Sequence, residues 1–302
     1  MKNIIDNIKA LKKEKDAVIL AHYYVDAAVQ RIADYVGDSY YLSKIAKETP
    51  QNVILFCGVN FMGESAKILN PEKTVIMPDA SADCPMAHMI QLKDILLKRA
   101  EYEDLAVVCY INSTAETKAV SDVCVTSSNA IAIVKALPQK NIYFVPDKNL
   151  GTYISALLPE KNFIFNPGFC YVHNGIKVGD VKEALASHPN AKVLVHPECT
   201  MTVIEMADYV GSTSGIIDFA TKNEGLEFII CTEEGIKYKL EQANPSKSFY
   251  FTWPVPLCKD MKKITLEKIE HALKTMDNKI ELDENLRIKA EKALKKMHEI
   301  AG

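Results

Sequence analysis

Short runs of β-branched and aliphatic residues alternate along the chain with stretches whose apolar positions recur every three or four residues. In the first hundred residues, runs at 18–21, 53–56 and 74–77, with a shorter one at 35–36, predict strands. Helices are predicted at 27–34, from residue 39 onward with Leu42, Ile45 and Ala46 on one face, at 62–69 up to Pro71, and at 90–99. Strands alternating with helices predict an α/β fold with parallel sheets covered on both faces. Ile4, Ile5, Ile8 and Leu11 mark an amphipathic helix before the first strand. After Leu266, Ile269 and Leu273, residues 279–282 read as the start of a fourth unit. A closing helix over 284–300 carries Leu286, Ala290, Ala293, Leu294 and Met297 on one stripe.

The pattern repeats. The run ending at His22 has counterparts ending at Tyr110 and His196, 88 and 86 residues on, each followed two residues later by another polar side chain: Tyr24, Asn112 and Glu198. Ser39, Ser127 and Thr213 recur at the same two spacings, as do the segments before Lys73, Lys161 and Lys247. Cys84, Cys170 and Cys258 follow at 86 and 88. Several sets in one order make an internal threefold repeat, which ordinary strand–helix alternation does not produce. The expected domains are residues 1–88, 89–176, and 177–302 with the C-terminal helices. No Gly/Ser-rich or Pro-rich linker separates them.

Composition narrows the function. The chain has 302 residues, 48% hydrophobic and 25% charged, with a net charge of -3. A near-neutral chain without a long basic run has no electrostatic footprint for nucleic acid. No apolar stretch is long enough to span a bilayer, and the segment from Met1 lacks the apolar core of a signal peptide, so a cytoplasmic location is expected. There the eight cysteines are not expected to form structural disulfides. Cys57, Cys109, Cys124 and Cys231 lie in strand-like runs and read as buried small hydrophobes.

The repeated positions carry the candidate chemistry. Ligands of parallel sheets bind beyond the carboxyl ends of the strands, where His22, Tyr24, Tyr110, Asn112, His196 and Glu198 fall. Ser39, Ser127 and Thr213 are expected where helices begin, as plain N-caps or as anion contacts; their matched register favours the second. Pro and Gly put Cys84, Cys170 and Cys258 on loops, which can meet if a threefold axis relates the units. Three thiolates with one open position suit a metal site. A Cys₃His zinc site using His88 or His173 and an iron–sulfur cluster are both compatible with the donors. Cys199, three residues from His196, is a rival nucleophile without counterparts in the other units. An aconitase-like dehydratase and a cluster-bearing sensor fit this donor set as well.

The motifs together resemble a known family. The residues His22-x-Tyr24, Val36-Gly-Asp-Ser39, Cys84-Pro-Met-Ala87, Tyr110-x-Asn112, His196-Pro-Glu198-Cys, Asp208-Tyr-Val-Gly-Ser-Thr213, Thr232-Glu233 and Cys258-x-x-Met261-Lys262 resemble the quinolinate synthase A family over nearly the whole chain. The resemblance implies three similar three-layer αβα domains around a pseudo-threefold axis. A 4Fe-4S cluster would be held by Cys84, Cys170 and Cys258, its open iron acting as a Lewis acid. It implies condensation of iminoaspartate with dihydroxyacetone phosphate to quinolinate, for NAD biosynthesis, with L-aspartate oxidase as a functional partner. By the same resemblance His22 and Tyr24 serve proton transfer and orientation, and Tyr110 and Asn112 sit beside substrate. Glu198 acts as a base, His173 and His196 bind carboxylates, and Ser39, Ser127 and Thr213 contact carboxylate or phosphate.

Overall fold

Strands β1 (Ala17–His22), β2 (Tyr35–Gly37), β3 (Val53–Cys57) and β4 (Thr74–Ile76) pair in parallel in the order β2-β1-β3-β4. The second sheet repeats the arrangement with β5 (Leu105–Tyr110), β6 (Val123–Val125), β7 (Asn141–Val145) and β8 (Asn162–Phe165), in the order β6-β5-β7-β8. The third does so with β9 (Lys192–Val195), β10 (Tyr209–Val210), β11 (Glu227–Cys231) and β12 (Ser248–Phe251), in the order β10-β9-β11-β12. Three similar αβα units result, as the repeat predicted. This computed structural model describes residues 2–301; Met1 and Gly302, at the outer ends of the first and last expected domains, lie outside the described residues.

The central strands β1, β3 and β5 are buried along their whole length. Both faces of a parallel sheet are covered by helices, so these strands read as continuous apolar runs. Two polar devices recur in every unit. The carboxylates of Asp34, Asp122 and Asp208 accept from the backbone N–H of Ile19, Val107 and Val193 at 2.9, 2.7 and 2.8 Å. Each aspartate thereby ties the entry of an edge strand to its central strand. Lys73, Lys161 and Lys247 each reach back to the carbonyls that end a helix: Ala46 and Thr49, Leu137 and Gln139, and Ala220 and Asn223. A helix C-terminus leaves carbonyls unpaired and partly negative, so a lysine there satisfies both needs.

The cores are not distributed as three equal shares. One apolar cluster runs through the first two units, taking in Leu20, Phe56, Val107 and Phe144 together with Leu273 and Leu294 of the terminal helices. The third sheet has its own clusters, with Leu194, Phe228 and Ile230 on one face and Val193, Val195 and Ile229 on the other. The helix Lys2–Glu14 packs on the helix Leu266–Thr275, and the helix Glu284–Ala301 lies across the helices Asn60–Leu69 and Ala115–Ala119.

The fourth-unit reading of residues 279–282 is corrected. Ile280 N–H donates to Val75 O at 2.9 Å, Met77 N–H donates to Asn278 O at 3.1 Å, and Lys279 forms a single antiparallel bridge with Ile76. The apolar run is real, but it pairs along the free edge of β4, which offers unpaired backbone groups. The chain enters the edge through Met276 and Asn278, both with positive φ. It leaves at Asp283, whose carboxylate accepts from Leu286 N–H at 3.0 Å ahead of the last helix.

Replacing the buried Lys73 by Met keeps the apolar stem and deletes the cap. Lys73→Met is expected to cost about 1–3 kcal/mol, measured as a lower urea midpoint at unchanged slope. Lys161→Met and Lys247→Met, at half-buried positions, are expected to cost less.

Candidate active site

The carboxyl ends of β1, β5 and β9 face one cavity of about 780 Å³, its open mouth included. The first unit contributes His22, Tyr24, Ser39 and Cys84. The second contributes Tyr110, Asn112, Ser127, Cys170 and His173, and the third His196, Glu198, Thr213 and Cys258. Every candidate site residue assigned by the repeat and the resemblance therefore lines the same space. Two other candidates fall elsewhere. His88 is exposed, is not among the cavity-lining residues, and pairs with Asp83 at 2.6 Å. Cys199 is fully buried in the third unit's core and points its Sγ at Cys231 O, 3.5 Å away. Burial pushes its thiol up, and it does not line the cavity; small size and packing account for the position.

The strand ends impose a shared imidazole geometry. His22 Nδ1 accepts from Tyr24 N–H at 3.2 Å, and His196 Nδ1 accepts from Glu198 N–H at 3.3 Å. A neutral ring that accepts at Nδ1 carries its proton on Nε2. Burial drives both rings down, to about 3, so they remain neutral Nε2–H donors. The hydroxyls at 39 and 213 are not the helix caps. Asp38 caps the helix Ser39–Glu48 through Tyr41 N–H, and Ser212 caps the helix Thr213–Lys222 through Gly215 N–H. The helix expected to start at Ser127 begins at Ala130 instead, because Asn129 turns its side chain back to Thr126 N–H at 2.7 Å; Ser127 lies in the turn.

Glu198 is the centre of the polar wall. It is 3% exposed, and its Oε2 accepts from His173 Nδ1 at 2.5 Å. Burial works to raise its carboxyl, but the His173 contact outweighs it and holds the group ionised. His173 stacks on His196 with ring centroids 4.4 Å apart. Its other nitrogen meets Thr232 Oγ1 at 2.8 Å, and the hydroxyls of Thr232 and Thr213 each lie 2.8 Å from Tyr24 Oη. A continuous chain thus runs from Glu198 through His173 and Thr232 to Tyr24 and Thr213. Burial, then the nearby Glu198 charge, pushes the phenols of Tyr24 and Tyr110 well up. The wall therefore offers protonated phenols beside an ionised carboxylate, the pairing that acid–base chemistry uses. Among the described residues, Glu198 Oε1 and Asn112 Oδ1 are buried without a hydrogen-bond partner, as groups awaiting a ligand are.

The cysteines separate as the repeat implied. All eight are unbridged; Cys84, Cys170 and Cys258 are half-buried on the cavity, and the other five are buried. Cys84 precedes the turn Pro85–His88 and Cys170 the helix Tyr171–Gly175. Tyr171 Oη lies 3.8 Å from Cys258 Sγ. Burial raises all three thiols, so thiolates here require a positive partner, and soft sulfur donors from three units fit an iron–sulfur group. Cys170, His173 and Glu198 also place one ligand atom each within 4.8 Å of one another and could hold a metal ion.

Sequence reasoning gave no role to the joint beneath this wall. Glu233 accepts from Cys258 N–H at 3.0 Å and from Gly235 N–H at 2.7 Å. Lys262 Nζ lies 3.2 Å from Glu233 Oε1 and donates to Tyr24 O at 2.9 Å. Gln30 Nε2 donates to Tyr23 O, Val25 O and Gly235 O at 2.8 to 2.9 Å. A Cβ at Gly235 would meet Tyr24 Cα at 2.7 Å, so only glycine allows the backbones this close. The ion pair joins Cys258 of the third unit to Tyr24 of the first. The lysine four residues after Cys258 was the available signal.

A family model described as "Quinolinate synthetase A protein" matches residues 6–299. A protein of Fusobacterium nucleatum named "Quinolinate synthase" is 54% identical over 297 residues, covering 98% of this chain and 99% of its own. Proteins of the same name from Clostridioides difficile and Clostridium perfringens are 50% and 49% identical over 300 residues, covering 99% of this chain and 99% and 100% of theirs.

Removing Lys262 leaves Glu233 charged and buried. Lys262→Met is expected to cost about 3–5 kcal/mol in denaturant unfolding, and Glu233→Gln added to it should recover most of the loss. Equal losses in the single and double variants would remove the ion pair as the joint's source of stability.

Proposed function

This chain belongs to the quinolinate synthetase A family, and from that membership we propose that it makes quinolinate from iminoaspartate and dihydroxyacetone phosphate, releasing phosphate and two waters. The observation that carries the reading is the convergence of three thiols from three units on a cavity walled by ionised Glu198, protonated Tyr24 and two neutral imidazoles. A 4Fe-4S cluster on Cys84, Cys170 and Cys258 would supply an iron without a protein ligand, a Lewis acid for a substrate carboxylate or hydroxyl.

The residues divide the remaining work. His22 and His196 donate Nε2–H to the carboxylates of iminoaspartate, and Ser39, Ser127 and Thr213 donate hydroxyls to carboxylate or phosphate. His173 holds Glu198 in place and completes the carboxylate-binding edge. Tyr24 gives a proton to a leaving hydroxyl, and Thr232 holds its phenol toward the cavity. Glu198, ionised and poorly solvated, takes the proton lost from carbon in the dehydration and tautomerisation steps. Tyr110 and Asn112 orient the substrate from the second unit. Iminoaspartate is short-lived in water, which favours supply by L-aspartate oxidase in the cytoplasm, in the service of NAD biosynthesis.

Anaerobic reconstitution is expected to load about four irons per chain, retained in Cys199→Ala and lost in Cys84→Ala, Cys170→Ala and Cys258→Ala. A protein that stays colourless removes the cluster from this reading. Tyr24→Phe and Glu198→Gln should each lower kcat by about 10²–10⁴ at unchanged iron content. Phosphate release coupled to quinolinate formation checks the second substrate; turnover of a hydroxy acid without phosphate would point to a dehydratase instead.

A further inference from the structure

Three ligand atoms of different softness meet at one edge of the cavity. Cys170 Sγ lies 3.3 Å from His173 Nδ1, and Glu198 Oε2 lies 2.5 Å from the same nitrogen. One N–H therefore faces two acceptors and can satisfy only one of them fully. Among the described residues, Glu198 Oε1, on a side chain 3% exposed, lacks a hydrogen-bond partner of normal geometry. In a tetrahedral zinc site, bond lengths near 2.0–2.3 Å put neighbouring ligand atoms about 3.5 Å apart. The sulfur–nitrogen pair already has that spacing. The carboxylate needs only to turn, opening the short contact and bringing the unpartnered Oε1 toward the same point.

We propose that the cluster-free protein binds a single divalent cation of borderline softness, with zinc as the natural occupant, on Cys170 Sγ, His173 Nδ1 and the Glu198 carboxylate. The fourth position stays open to water. Sulfur, imidazole and carboxylate together suit zinc better than magnesium or calcium. On binding, the thiol gives up its proton to solvent, the carboxylate has none to lose, and the imidazole proton moves from Nδ1, which takes the metal, to Nε2. There Thr232 Oγ1, at 2.8 Å, accepts it, the outer hydrogen bond that orients a metal-bound histidine. Neither Cys84 nor Cys258 takes part. The lone ion and the cluster compete for Cys170, so zinc-loaded protein resists iron–sulfur reconstitution.

This inference shares Cys170 with the cluster reading of the proposed function but is tested apart from it. The full-length, cluster-free, reduced protein is titrated with cobalt(II), then with zinc against a chromophoric chelator. Cobalt is expected to give a tetrahedral visible spectrum with the sulfur charge-transfer intensity of one thiolate. Zinc-edge X-ray absorption of the wild type should show one sulfur and the remaining donors nitrogen or oxygen, at zinc bond lengths of about 2.3 and 2.0–2.2 Å. Cys170→Ser, His173→Gln and Glu198→Gln should each weaken zinc binding about tenfold or more, with Cys84→Ala and Cys258→Ala close to wild type. A three-sulfur donor set, equal losses in Cys84→Ala or Cys258→Ala, or failure of the wild type to bind either ion overturns the proposal. The X-ray measurement needs no variant, so a misfolded variant leaves the test intact. Iron counting after reconstitution reads the cluster separately, and either result can fail without the other.

Discussion

The contact between Glu198 and His173 governs the site. A carboxylate sealed from water is costly unless a hydrogen-bonding partner sits against it, and the 2.5 Å contact from His173 Nδ1 supplies that partner. Glu198 comes from the loop after β9, whereas His173 is carried on the helix Tyr171–Gly175 directly after Cys170. One hydrogen bond therefore joins the second and third units, fixes the turn that presents Cys170, and stacks His173 on His196. The Thr232 and Tyr24 hydroxyls follow from the far side of the same ring. Most of the polar wall is consequently set by how this buried charge is kept tolerable.

A chain with net charge -3 can still shape a cavity for anions. The donors are neutral imidazoles with Nε2–H presented, phenols kept protonated, and hydroxyls freed from capping by Asp38 and Ser212. Such donors bind carboxylates through direction rather than net charge, and they keep that property when the surrounding medium is dry. The positive charge nearest the site, Lys262, is spent on Glu233 and on the carbonyl of Tyr24, so it serves geometry.

Sequence period and residue type made the threefold architecture legible, since a strand end, a hydroxyl and a cysteine recur in fixed register and each demands the same local fold. The cavity residues were legible for the same reason: they sit at strand ends and on Pro- and Gly-marked loops. Cys199 misled because a histidine three residues away looks like a partner in sequence, whereas the turn after β9 sends its thiol into the core. Residues 279–282 misled because an apolar run does not state which edge it will pair with. The helix start near Ser127 was displaced by one side chain, Asn129, whose bond to Thr126 N–H no periodicity registers. The Glu233–Lys262 joint was invisible because its members are 29 residues apart in the chain and the positions matching Lys262 in the other units, Asn174 and His88, are not lysines.

The helix Glu284–Ala301 has a consequence for how the chain is made. Its residues Ala290, Ala293, Leu294 and Met297 complete the core shared by the first two units, and Arg287 Nη1 donates to Ile68 O at 3.2 Å. On a ribosome the first two units emerge before residues 284–301, and until then they lack part of their apolar cover. Domains commonly fold in order of synthesis; here a segment made after the third unit closes the first two. The order of translation and the order of folding therefore part company, with the apolar seam around Ile68 left open until the helix Glu284–Ala301 has been made.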